Sequence, residues 1–174
     1  ENGINLETDM EIVYKAEHSE VATLLLSGEA DVVMLPEPFV STVLNKDASI
    51  NHAINLNDEW VKSAPDITLS MGCLVAQKSF IEEYKEEVDT FLELYEESID
   101  WVLEQPYNAA PLIVSSGILD NEKVAESAIP NCNIVYIDAA DAKDSLNAFF
   151  KFLYNNNPAS VGGKVPDNGI YYER

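Results

Sequence analysis

The chain has 174 residues, with 31 acidic and 10 basic side chains, a net charge of −21 and 47% apolar residues. An apolar share near one half is what a packed domain needs, which argues against wholesale disorder, while a field of this sign repels phosphate backbones and anionic membrane surfaces, so no nucleic-acid partner is expected. No apolar run approaches the roughly 18 residues of a spanning helix, and Glu1-Asn2-Gly3 has neither part of a signal peptide, so a mature, processed or truncated chain is expected.

In chain order, Glu11-Ile12-Val13-Tyr14 has the composition of a short strand. Ser19 is a good helix N-cap with Glu20 in the first turn, and Val21, Leu24 and Leu25 form an apolar stripe closed by Gly28. Asp31-Val32-Val33-Met34-Leu35 is apolar on both faces, as suits a strand buried on both sides, and strand, helix, strand in this space predicts a right-handed βαβ unit. Pro36-Glu37-Pro38-Phe39 stands at the end of that strand, and 40–44 is expected to leave it as a helix. Residues 53–56 and 67–75 are further strand candidates, separated by a loop carrying Asp58, Glu59 and Trp60.

From Ala76 onward the pattern becomes helical. Ser79 is placed as the cap of a short helix, and a long helix is predicted over 85–105, with Val88, Phe91, Leu92, Tyr95, Ile99 and Val102 on its buried face. Shorter helices are expected over 108–115 and 121–128, a strand over 133–137, and a helix over 140–154 with Leu146, Phe149, Phe150 and Leu153 on one side. The tail, 155–174, is expected to be an ordered loop.

The inventory of chemistry is thin. There is no nucleophile elbow, phosphate loop or HExxH pattern, the two histidines are far apart at His18 and His52, and Cys73 and Cys132 lack a CxxC partner. No catalysis, cofactor or metal is therefore expected, and the cysteines are expected to be buried thiols in preference to a bridge. Glu37 and Phe39 stand out, because a proline-stiffened turn at the carboxyl end of a buried strand is where open α/β sheets bind ligands.

Three segments carry a family resemblance: Gly28-Glu29-Ala30-Asp31 through Pro36-Glu37-Pro38-Phe39; Leu69-Ser70-Met71-Gly72-Cys73-Leu74-Val75-Ala76-Gln77-Lys78-Ser79-Phe80; and Ala128-Ile129-Pro130-Asn131-Cys132-Asn133 with Gly162-Gly163-Lys164-Val165-Pro166-Asp167. Together they resemble solute-binding proteins of ABC importers, in the group that includes binders of thiamine precursors, nitrate, sulfonates and taurine. The resemblance implies an α/β, periplasmic-binding-protein-like (type II) fold of which this chain is a C-terminal portion. Residues 1–70 would be the second α/β lobe, 71–78 the hinge-crossing strand, and 79–174 the C-terminal helical part of the first lobe.

The same resemblance implies a non-enzymatic component that captures a small solute and delivers it to a membrane permease, outside the cytoplasm, in the periplasm or on the cell surface as a lipid-anchored protein. Pro36, Glu37 and Phe39 would line the cleft wall, Ser19 would donate to an anionic group, and Met71 and Gly72 would lie at the hinge near the ligand. The acid at Glu37 favours a cationic or hydrogen-bond-donating ring such as a pyrimidine, with Phe39 stacking on it. Further alternatives are an effector-binding domain of a bacterial transcription regulator and a thiamine-pyrimidine synthesis enzyme on the same fold. The helical faces carrying Phe91, Leu92, Tyr95, Phe149 and Phe150 are expected to lack a partner, to be supplied by a missing N-terminal half or by self-association.

Overall fold

A computed structural model describes Asn5 and residues 8–174. The chain divides into two compact units, the first running to His52 and resuming over Pro106–Asn133, the second comprising Ala53–Gln105 and Ile134–Arg174.

In the first unit, α1 spans His18–Ser27 and α2 spans Phe39–Lys46. These are joined by α6, Pro106–Ser115, and α7, Glu122–Ala128, which runs into a 3₁₀ turn at Ile129–Asn131. Gly28 ends α1 at φ 74°, a left-handed conformation that costs glycine little, and its N–H satisfies the carbonyl of Leu25. α6 packs closely on α7, and the contact is built from small side chains: Ala109, Ala110, Ala125 and Ala128 are all buried. α2 also packs on α7, bringing Val43 and Val124 into the same interior. Asn121 caps α7 by accepting from the N–H groups of Lys123 and Val124.

The second unit contains α3, Leu56–Ser63; α4, Lys78–Glu83; α5, Lys85–Glu104; and α8, Ala139–Asn156. Trp60 of α3 sets its ring edge-on to Phe149 and Phe152 of α8, at centroid distances of 6.0 and 5.1 Å, and donates its indole N–H to the Ile67 carbonyl. The tail closes over the same unit. The Tyr171 hydroxyl donates to Asn147 at 3.0 Å, Tyr172 donates to Asp89 on α5 at 2.7 Å, and Arg174 pairs with Asp138 at 3.1 Å. The ordered tail expected from its composition is thus held by specific aromatic and ionic contacts.

The long helix, the two shorter ones and the last helix fall within a few residues of their expected places. The strand expectations do not hold. Among the described residues no β-strand is formed, so 11–14, 31–35, 67–75 and 133–137 are corrected to non-strand backbone, and the expected βαβ unit is not made. A strand is defined by its ladder, and no described segment pairs with these runs.

Three helix boundaries are also corrected. The loop expected around Asp58, Glu59 and Trp60 is α3, whose start is fixed by the Asn55 side chain accepting from Asn57 and Asp58; Leu56, expected in a strand, begins this helix. Ser19 lies inside α1, whose N-cap is Glu17, and Ser79 lies inside α4, whose N-cap is Gln77. The buried face of α5 is narrower than expected: Ile99 is buried and Val88, Leu92 and Val102 are half-buried, whereas Phe91 and Tyr95 remain 48% and 41% exposed.

Candidate functional site

The turn 36–39 occupies the start of α2 in the first unit. The Pro36 carbonyl accepts from the N–H groups of Phe39 and Val40, and the Pro38 carbonyl accepts from Thr42 through both its N–H and its hydroxyl. The Glu37–Pro38 peptide is cis. Glu37 Oε2 accepts the N–H of Ser41 at 3.0 Å, satisfying one of the donors a helix leaves unpaired at its N-terminus and placing a negative charge at the positive end of the helix dipole. Ser41 is itself buried, so that N–H would otherwise lack a partner. Oε1 makes no hydrogen bond among the described residues.

Phe39, half-buried, meets the imidazole of His18 at 5.4 Å between ring centroids with the planes tilted by 44°. The starts of α1 and α2 therefore meet, and Ser19, next to His18 in the first turn of α1, is exposed. Cys132, in the same unit, has its thiol pushed up first by its burial and second by the negative charge of Glu37. The result is a wall made of the Phe39 ring and the His18 imidazole at the helix starts and the Glu37 carboxylate just ahead of α2, whose Oε1 is unpaired among the described residues. Such a wall can stack on a flat ring and accept a hydrogen bond from it.

Of the residues expected to form the site, Pro36, Glu37 and Phe39 share this turn, and Ser19 lies on α1 beside His18, whose ring meets Phe39. Met71 and Gly72 belong to the second unit, where 71–76 is neither helix nor strand and Met71 is 85% exposed. Sequence reasoning did not find the partnership of His18 with Phe39 or the approach of Cys132 to Glu37. Both depend on helix packing between positions distant in sequence, and neither pair carries a local spacing signal.

The chain has the fold of a solved ABC-transporter chain. A structure of an ABC transporter from Parabacteroides distasonis superposes with a TM-score of 0.71 at 22% identity, covering 92% of this chain and 55% of that chain. This chain thus spans about half the length of its structural neighbour. No family model and no curated protein matches it.

The second unit holds two shallow depressions. One, of about 300 Å³, lies between Asp138, Asp141 and Arg174, and the other, of about 440 Å³, runs along α5 beside Glu87, Phe91 and Leu94. Neither is lined by an expected site residue. Among the described residues no cluster of His, Cys, Asp or Glu is arranged to hold a metal ion, and both cysteines are free thiols, Cys73 exposed and Cys132 partly buried. The expectation that both are buried is corrected for Cys73. No described helix is long and apolar enough to cross a membrane.

Proposed function

We propose that this chain is part of the solute-binding component of an ABC importer, with a type II periplasmic-binding-protein fold, and that it acts outside the cytoplasm. The observation that carries the reading is the likeness of fold to an ABC-transporter chain over 92% of this sequence. The wall at the start of α2 supports it, because Phe39 is only half-buried and Glu37 keeps one carboxylate oxygen unused.

In this reading Phe39 and His18 form the apolar side of the ligand wall, and Glu37 accepts from a donor on the ligand. Pro36 sets the turn and Ser19 offers a hydroxyl from the start of α1. A carboxylate opposes bare anions and favours a planar ligand with an amino or cationic group, such as a pyrimidine. The partner on the membrane side is the permease.

The test is a thermal-shift and calorimetric screen of the protein expressed from its whole reading frame. The probes are a thiamine-type aminopyrimidine, taurine, an alkanesulfonate and nitrate. The reading predicts saturable one-site binding of the aminopyrimidine and none of nitrate. Binding of nitrate with no response to the aminopyrimidine would overturn the assignment of ligand class.

A further inference from the structure

The dipeptide Asn168-Gly169 opens a 3₁₀ turn over Asn168–Ile170, immediately ahead of the tail that closes over the second unit. Both residues are exposed, and the Asn168 side-chain amide makes no hydrogen bond among the described residues. The Gly169 N–H donates to Asp167 Oδ1 at 2.9 Å, and the Tyr171 N–H donates to the Asn168 carbonyl at 3.3 Å. A Cβ on Gly169 would stand 3.0 Å from that carboxylate oxygen, so the absent side chain is what lets Asp167 close on the N–H. Just beyond the turn Tyr171 is buried and bonded to Asn147 of α8, and Tyr172 is bonded to Asp89 of α5.

Asn followed by Gly is chemically labile, because the glycine nitrogen has no side chain to shield it. On losing its proton, that nitrogen attacks the Asn side-chain carbonyl carbon. The new N–Cγ bond closes a cyclic imide, the Cγ–Nδ2 bond breaks, and the amide nitrogen takes up a proton and leaves as ammonia. Water then opens the ring at one of its two carbonyls, giving aspartate or isoaspartate. Two features of this turn oppose the attack. The Gly169 N–H is held by a carboxylate, whose negative charge disfavours loss of the proton. The 3₁₀ backbone also keeps ψ at about −20 to −30°, which holds the Gly169 nitrogen away from the side-chain carbonyl carbon.

We propose that Asn168-Gly169 is a site of spontaneous deamidation, held in check by Asp167 and by the attached tail, and that its conversion to isoaspartate releases the tail irreversibly. Isoaspartate adds a methylene to the main chain between Asp167 and Tyr171 and a carboxylate to a chain already at −21, so the bond from the Tyr171 N–H to the Asn168 carbonyl cannot be kept in place. The tail is thus protected while it is bound and exposed to a one-way change whenever it detaches. The inference concerns the covalent stability of the tail and stands or falls separately from solute capture.

The test is incubation of the whole chain in mildly alkaline buffer, with isoaspartate and aspartate at 168 followed by peptide mapping and mass spectrometry. A synthetic peptide of residues 165–174 gives the rate without the fold. The parent protein should convert at least tenfold more slowly than the peptide. Asp167→Ala, at an exposed position, should convert at least threefold faster than the parent, whereas Asp167→Ser, which keeps a side-chain acceptor, should stay close to it. Peptides carrying the same two changes should react alike, since no turn is held in them. Tyr171→Ala, which frees the tail from Asn147, should approach the peptide rate with the helical circular dichroism retained. In a partly converted sample, amide exchange at 171–174 should be faster in the isoaspartyl fraction than in the unconverted one. The proposal is overturned if the parent reacts as fast as the peptide, if Asp167→Ala or a folded Tyr171→Ala reacts no faster than the parent, or if both fractions exchange alike at 171–174.

Discussion

Glu37 divides its carboxylate between two tasks, and the division can be measured. Oε2 closes the first turn of α2 through the buried N–H of Ser41. Replacing Glu37 with Ala removes that acceptor and should cost about 1 kcal/mol, the usual cost of losing a helix cap. Glu37→Gln keeps a carbonyl oxygen in place and should lose less than half as much in urea denaturation. For ligand affinity the loss in Glu37→Gln should approach that in Glu37→Ala, because an amide oxygen attracts a cationic ring more weakly than a carboxylate does. Equal destabilisation by the two variants would show that the charge alone, through the helix dipole, accounts for the bracing.

A second residue-scale feature is the junction of Lys85, Asp89 and Tyr172. Lys85 donates to Asp89 at 2.9 Å and to the Tyr172 oxygen at 3.0 Å, while Tyr172 donates to Asp89. Hydrogen bonds from Tyr172 and then Lys85 hold the Asp89 carboxyl below its ordinary range, and hydrogen bonds to Tyr172 and Asp89 hold Lys85 above its own. A carboxyl lowered on folding contributes stability that is full above its unfolded value, about pH 4, and disappears as pH falls through the lower folded value. An ammonium raised on folding contributes fully below about pH 10.4 and loses its contribution as pH rises through the higher folded value. Attachment of the tail should therefore be insensitive to pH between these limits and loosen outside them, as read by amide exchange at 171–174. Tyr172→Phe should raise the Asp89 titration toward the ordinary carboxylate range in a carbon-detected NMR titration.

At the scale of elements, what holds each unit together differs. α7 fits into the first unit because its inward positions are Val124, Ala125 and Ala128, and Ala125 is fully buried. Ala125→Leu forces extra volume between helices in close contact and should destabilise by about 1–3 kcal/mol. Ala140→Leu, at an exposed position of α8, should stay within about 0.5 kcal/mol, and thermal melts of the two variants compare them directly. Helix positions were legible in the sequence for a plain physical reason: α5 and α8 carry their own hydrogen bonds, so apolar spacing suffices to specify them without a side-chain cap. Asn121 and Asn55 cap α7 and α3 alike, but Asn55 lies within 53–56, a run whose composition suggests a strand. Strands were less legible. Val32, Val33, Met34 and Leu35 have a strand's composition, but a ladder is a relation between segments, and composition says nothing of whether the other segment is there.

At the scale of the whole molecule, the candidate site was visible only in outline. Two prolines around an acid and an aromatic singled out 36–39, whereas the meeting of Phe39 with His18 arises from helix packing that no local pattern encodes. The same argument explains why Met71 and Gly72 were proposed from resemblance and not from chemistry, since neither carries a titratable or hydrogen-bonding side chain. The net charge of −21 sets a further constraint on ligand choice, because it attracts cationic solutes and repels anionic ones over distances of about a Debye length, some 8 Å at physiological salt.

The central claim is that the wall at the start of α2 binds a small planar solute. Calorimetric titration of an aminopyrimidine into the protein from the whole reading frame, and into its Phe39→Ala variant, tests this most directly. The account predicts one-site binding by the parent protein and at least tenfold weaker binding by the variant, about 1.4 kcal/mol, in keeping with the loss of a stacked ring and its buried area. Equal affinity in the two proteins, or no heat of binding in either, would contradict it.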